Sequence, residues 1–166
     1  MTRVVMLLVA WVFALSAVPW AQGKTDFSGA WTFQADKSDK APAGGAAVLF
    51  AAALTLIDVK QSPTQLVLAG EATYSLDGRE SVNRVYGGQS KTKANWDGSK
   101  LVLTSVVSVS GGGVGNDADS TKRDVPMTDI WSLDAGGIVL TIERSFTAPA
   151  GPITRKLVYV KTRIIQ

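Results

Sequence analysis

The chain has 166 residues, with 17 Lys and Arg against 14 Asp and Glu, and it contains neither Cys nor His. Without thiol or imidazole there is no Cys or His nucleophile, no Ser-His-Asp triad, no disulfide framework and none of the common zinc, haem or iron–sulfur ligand sets. A chain of this length suits one domain, which buries roughly two-thirds of its unfolded surface.

Met1-Thr2-Arg3 is a short basic start, and Val4 to Val18 is almost continuously apolar, closed by Pro19. These are the n-region and h-region of a secretory signal peptide, and Ala21-Gln22-Gly23 puts small residues at positions −3 and −1 of a cut between Gly23 and Lys24. A cut after Ala21 is the alternative. A retained membrane anchor wants about 20 apolar residues, and this run is shorter. The expectation is export to the periplasm or beyond, with residues 24–166 as a soluble, monomeric domain that does not insert stably in a membrane. Removing residues 1–23 takes away one basic residue, Arg3, leaving 16 basic and 14 acidic residues. So small an excess, with no basic block, gives no footprint for nucleic acid or an anionic membrane. An exported domain without cysteines must hold together by burial and backbone pairing, which favours a closed sheet.

The mature chain reads as short strands. Phe27, Gly29, Trp31 and Phe33 fall at every second position, so Phe27–Gln34 is a strand with one aromatic face. Leu54–Lys60 and Gln65–Gly70 flank Gln61-Ser62-Pro63 as a hairpin, and Glu71–Leu76 and Arg79–Tyr86 flank Asp77-Gly78 as another. Lys91–Trp96 leads through Asp97-Gly98 into Lys100–Ser110, the richest β-propensity in the chain. Asp124–Leu133, Ile138–Phe146 and Ile153–Lys161 complete the set; in the second of these, Ile138, Leu140, Ile142 and Phe146 share a face. The sum is an all-β domain of about eight to ten strands, a single antiparallel up-and-down barrel, with a Greek-key sandwich less favoured because long crossovers are few. Ala41–Ala53, rich in Gly and Ala, is either a lid over one barrel end or a loop against the core. Gly111–Asp124 is polar and Gly-rich and reads as a loop.

Motifs for chemistry fail in turn. Gly111–Gly115 is followed by no Gly-Lys-Ser/Thr. Asp117-Ala118-Asp119 opens like a calcium loop, but Lys122 stands where Gly is needed and Thr128 where the bidentate acid is needed. Ser90-Lys91-Thr92-Lys93 has the Ser-x-x-Lys spacing of acylating serine enzymes, yet it leads a strand and reads as a solvated strand face. The acids cluster in turns, at Asp77, Asp97, Asp117 and Asp134, rather than as a facing pair. No metal and no cofactor is expected.

The string Phe27-x-Gly29-x-Trp31, after an export signal and before a meander of short strands, resembles the first-strand signature of lipocalins and the wider calycin group. Thr25–Trp31 with Asp36-Lys37-Ser38, Trp131-Ser132-Leu133 and Leu140–Arg144 is similar to a set of exported bacterial lipocalin-like proteins. The resemblance implies a barrel plugged at one end by Trp31, with an arginine near the chain end packed across it. Arg155 is the first choice for that arginine and Arg144 the competitor. The ligand would then occupy the open end.

Candidate ligand contacts are the aromatic residues of the later strands, Tyr74, Trp96, Trp131, Phe146 and Tyr159, which either fill the core or line a small apolar pocket. Asp129 and Arg144 share the inward phase of their strands, and charges there need each other or a wet cavity. These residues favour a non-enzymatic binding protein for a small apolar or amphipathic ligand. A filled barrel whose loops contact an envelope protein or polysaccharide is the alternative, and an enzyme acting at the barrel mouth is a third.

Overall fold

A computed structural model describes residues 24–41, 53–70, 72–85, 88–110, 122–148 and 151–162. The expected signal peptide, the Ala41–Ala53 segment apart from its first and last residues, and residues 111–121 of the expected Gly-rich loop lie outside that set. Ten strands form one antiparallel sheet: β1 (Gly29–Phe33), β2 (Leu56–Gln61), β3 (Gln65–Leu68), β4 (Ala72–Ser75), β5 (Glu80–Val85), β6 (Gly88–Asp97), β7 (Lys100–Ser110), β8 (Lys122–Leu133), β9 (Val139–Ala148) and β10 (Gly151–Lys161). Their order is β4-β3-β2-β1-β10-β9-β8-β7-β6-β5. Pairing of the first strand with the last curls this meander into a single, nearly closed up-and-down barrel, with no helix among the described residues.

The turns follow from their residues. Gly98 and Ser99 make a two-residue loop between the partners Asp97 and Lys100, and Gly98 at φ +59° supplies the first central position that a II′ turn reserves for glycine. Between β8 and β9 the carboxylate of Asp134 accepts the N–H groups of Ile138 and Val139, each at 2.8 Å. The bond from Val139 holds the Asp134 carboxyl below its ordinary value. Ile138 therefore belongs to the turn and is 53% exposed; the inward phase of β9 starts at Leu140.

One hairpin differs from expectation. β4 and β5 flank the Asp77-Gly78 turn, yet they stand at opposite ends of the strand order and share no backbone ladder. The turn is closed by side chains: Asp77 Oδ1 accepts the Ser75 hydroxyl and the Arg79 N–H, and Arg79 Nε donates to Asp77 Oδ2. Beyond it, β5 reaches β4 with its side chains. Ser81 Oγ accepts the Ser75 N–H at 2.7 Å, and the Asn83 amide both accepts the Thr73 N–H at 2.8 Å and donates to its carbonyl at 3.0 Å. Side-chain amide and hydroxyl groups thus satisfy the β4 backbone where a tenth ladder would have closed the barrel.

Cross-strand partners share a face, so the register sorts the interior into rows. One row runs Trp96, Leu101, Trp131, Ile142 and Leu157; the next runs Ala94, Leu103, Asp129, Arg144 and Arg155; a third runs Thr92, Ser105, Met127, Phe146 and Ile153. The apolar core gathers around the first row, with Phe27, Trp31, Ile57, Val59, Leu66, Leu140 and Tyr159.

Candidate functional site

The barrel end bearing the first row is sealed by the chain just before β1. Phe27 is fully buried; its ring stacks on Trp96 at 6.1 Å between centroids and meets Trp131 edge-on at 5.7 Å. Its backbone is pinned from two sides, because the Phe27 N–H donates to Gln61 Oε1 at 3.0 Å and its carbonyl accepts the Trp31 indole N–H at 2.9 Å. Gln61 also donates to the Thr25 carbonyl, while the Thr25 hydroxyl reaches the Ser99 carbonyl in the β6–β7 turn. Lys24 Nζ lies 5.7 Å from the Trp96 ring centre.

Trp31 is fully buried, and the cation over its ring is Lys161, with Nζ 5.2 Å from the centroid. The register pairs these two residues directly. Arg155 stands six positions earlier on β10, about 20 Å along the strand, so it is Lys161 and not Arg155 that crosses Trp31. Arg155 instead donates through Nη2 to the Asp39 carbonyl. The Gly29-x-Trp31 pattern gains a local reason as well. Gly29 has φ +134°, and a Cβ there would lie 2.7 Å from Lys161 Cε, inside the path of the lysine stem.

Two residues further into the barrel, the chemistry changes. Arg144 and Asp129, direct partners across β8 and β9, form a two-pronged pair: Nε to Oδ1 at 2.8 Å and Nη2 to Oδ2 at 2.7 Å. The Asp129 and Arg144 side chains are 7% and 20% exposed. Burial opposes the Arg144 charge, but the adjacent carboxylate outweighs it and holds the guanidinium above its ordinary value. Tyr159 and Tyr74 are near enough to act on the same charge. Burial pushes the Tyr159 phenol up, and Arg144 draws it partly back. In the next row the buried hydroxyls of Thr92 and Ser105 share a hydrogen bond of 2.8 Å, and Ser90 is buried beside them on β6.

Of the residues expected to contact a ligand, Asp129, Arg144, Tyr159 and Tyr74 come together as one polar cluster. Trp96 and Trp131 form a second group around Phe27. Phe146 is buried one step beyond Arg144 on β9, on the far side of the cluster from the tryptophans. Ser90 and Thr92 correct an expectation: Lys91 and Lys93 are the solvated face of β6, while Ser90 and Thr92, which alternate with them, are 5% and 2% exposed and point inward. Their phase with Ala94 and Trp96 is the signal that reveals them. Phe27, in phase with Gly29 and Trp31, and Lys161 of β10 also belong to the sealed end, and Lys161 is the one that alternation alone does not single out.

Chemically the Thr92 and Ser105 hydroxyls can donate or accept hydrogen bonds in this interior. Asp129 is committed to Arg144 on both oxygens, and among the described residues no group of three His, Cys, Asp or Glu could hold a metal ion. Comparison with known proteins finds no matching family model, no curated relative and no matching solved structure.

Proposed function

We propose that the protein is an exported binding protein that holds a small amphipathic molecule inside its barrel and performs no reaction on it. The observation that carries this reading is the largely buried Asp129–Arg144 pair, with Tyr74, Tyr159, Arg155 and the Ser90, Thr92 and Ser105 hydroxyls around it, next to an aromatic and aliphatic core. A dry, filled core gains little from such a belt, because desolvating two charges costs several kcal/mol per ion before their attraction is counted. A ligand with an apolar body and a polar group uses both halves. Export is supported by Met1–Gly23, and the lipocalin-like reading by Phe27-x-Gly29-x-Trp31 at the start of a ten-stranded meander.

Native mass spectrometry of protein purified from its own envelope fraction tests this directly. The expected result is a mass increment from a co-purifying small molecule, together with thermal shifts for some of the fatty acids, sterols, quinones and isoprenoids. A bare mass with no shift for any of them overturns the reading in favour of a filled barrel acting through its loops.

A further inference from the structure

We propose that the indole N–H groups of Trp96 and Trp131 are donors for an acceptor oxygen on the bound molecule, so that the ligand carries a neutral carbonyl group rather than being a plain hydrocarbon. This rests on the binding reading above and names the chemistry of that same site.

The sealed end contains three indoles. Trp31 Nε1 donates to the Phe27 carbonyl at 2.9 Å, whereas Trp96 Nε1 and Trp131 Nε1 are buried with no hydrogen-bond partner. Folded proteins pair nearly all buried donors, because an orphan N–H loses its hydration without a protein partner in return. Two orphans in one interior row therefore call for an occupant. The residues are separated by Leu101 in the register, two strands apart and about 10 Å between backbones, and both rings pack on Phe27. Phe27 supplies aromatic surface and no lone pair on its side chain. An indole nitrogen donates and does not accept, so the complementary group must be an oxygen with lone pairs.

The neighbourhood selects among such oxygens. Asp129 lies two positions before Trp131 on the same face of β8, and Arg144 is already tied to it by two bonds. A second carboxylate next to Asp129 would be repelled, while a ketone, ester or amide carbonyl accepts the indole proton without adding charge.

The test uses two probes of nearly the same shape, 2-acetylnaphthalene and 2-ethylnaphthalene, on the mature chain. It compares the parent with Trp131→3-benzothienylalanine, which replaces the N–H by sulfur and keeps the bicyclic ring. The parent should bind the ketone about tenfold or more tightly than the hydrocarbon. In the variant this ratio should fall to about one with hydrocarbon affinity unchanged, and the ligand-free variant should melt no lower than the parent. A ratio near one in the parent, or an unchanged ratio in both this variant and Trp96→3-benzothienylalanine, overturns the inference and leaves water as the partner of these donors. If only the hydrocarbon binds, the inference fails and the binding reading stands. If neither probe binds, the inference fails, and if the envelope-purified protein is also bare the binding reading fails with it.

Discussion

Two adjacent rows of the barrel interior lie two residues apart on each strand and have opposite chemistry. The row of Trp96, Leu101, Trp131, Ile142 and Leu157 closes over Phe27 and Trp31 into a wall of rings and aliphatic groups. The next row keeps Ala94 and Leu103 on β6 and β7 but carries Asp129, Arg144 and Arg155 on β8 to β10, with the Thr92–Ser105 bond just beyond it, and these are groups that prefer water. Apolar area removed from water stabilises by roughly 25 cal/mol per Å², so the first row supports the fold wherever it is packed. A buried ion pair roughly breaks even against an apolar replacement, so the second row is hard to explain by stability alone. The difference separates a row whose burial is explained by stability from one whose burial is not.

The strongest way to break that division is at the seal. Trp31→Ala removes a fully buried ring, its hydrogen bond to the Phe27 carbonyl and the platform under Lys161, and should cost about 3–5 kcal/mol in urea unfolding. A loss below about 1 kcal/mol would show that the end is held by Phe27 and Gln61 without it.

A somewhat smaller effect sharpens the other side. Asp129→Ala removes the carboxylate that faces the Arg144 guanidinium and should cost about 3 kcal/mol, whereas Asp129→Leu combined with Arg144→Met should return to within about 1 kcal/mol of the parent. Ligand retention in native mass spectra should be lost in both. If the double variant is as unstable as the single one, the polar row is part of the scaffold and the contrast with the aromatic row disappears.

Much of this architecture can be read from residue order, and what cannot be read shares one physical cause. Alternation in Leu140, Ile142 and Phe146 assigns the faces of β9 because a strand has period two, and the same parity places Asp129 and Arg144 inward. That they meet each other depends on register, which is set by pairing over the whole sheet and is not written in either strand. Lys161 and Arg155 have the same parity on β10, so only the pairing of Trp31 with Lys161 decides which cation covers the tryptophan. Ser90 and Thr92 are obscured by the alternating Lys91 and Lys93, since hydroxyls are ordinary on a wet face and become informative only when the sheet curls round them. The Asp77-Gly78 turn is legible, but the splaying of β4 from β5 is not, because it is fixed by where the ends of the closed sheet meet.

The smallest expected effect concerns Lys161, and it tests how the seal is divided between ring burial and charge. The ammonium is solvated and lies 5.2 Å from the Trp31 centroid, a geometry worth about 0.5–1 kcal/mol at an exposed site. Lys161→Met keeps an unbranched stem over Gly29 and Trp31 and removes only the charge, so urea unfolding should shift by no more than about 1 kcal/mol. Lys161→Arg should stay closer to the parent, because a guanidinium also lies well on an indole face. A loss from Lys161→Met approaching that of Trp31→Ala would mean that the cation, rather than the buried ring, closes this end. The aromatic row would then depend on electrostatics as much as the polar row does.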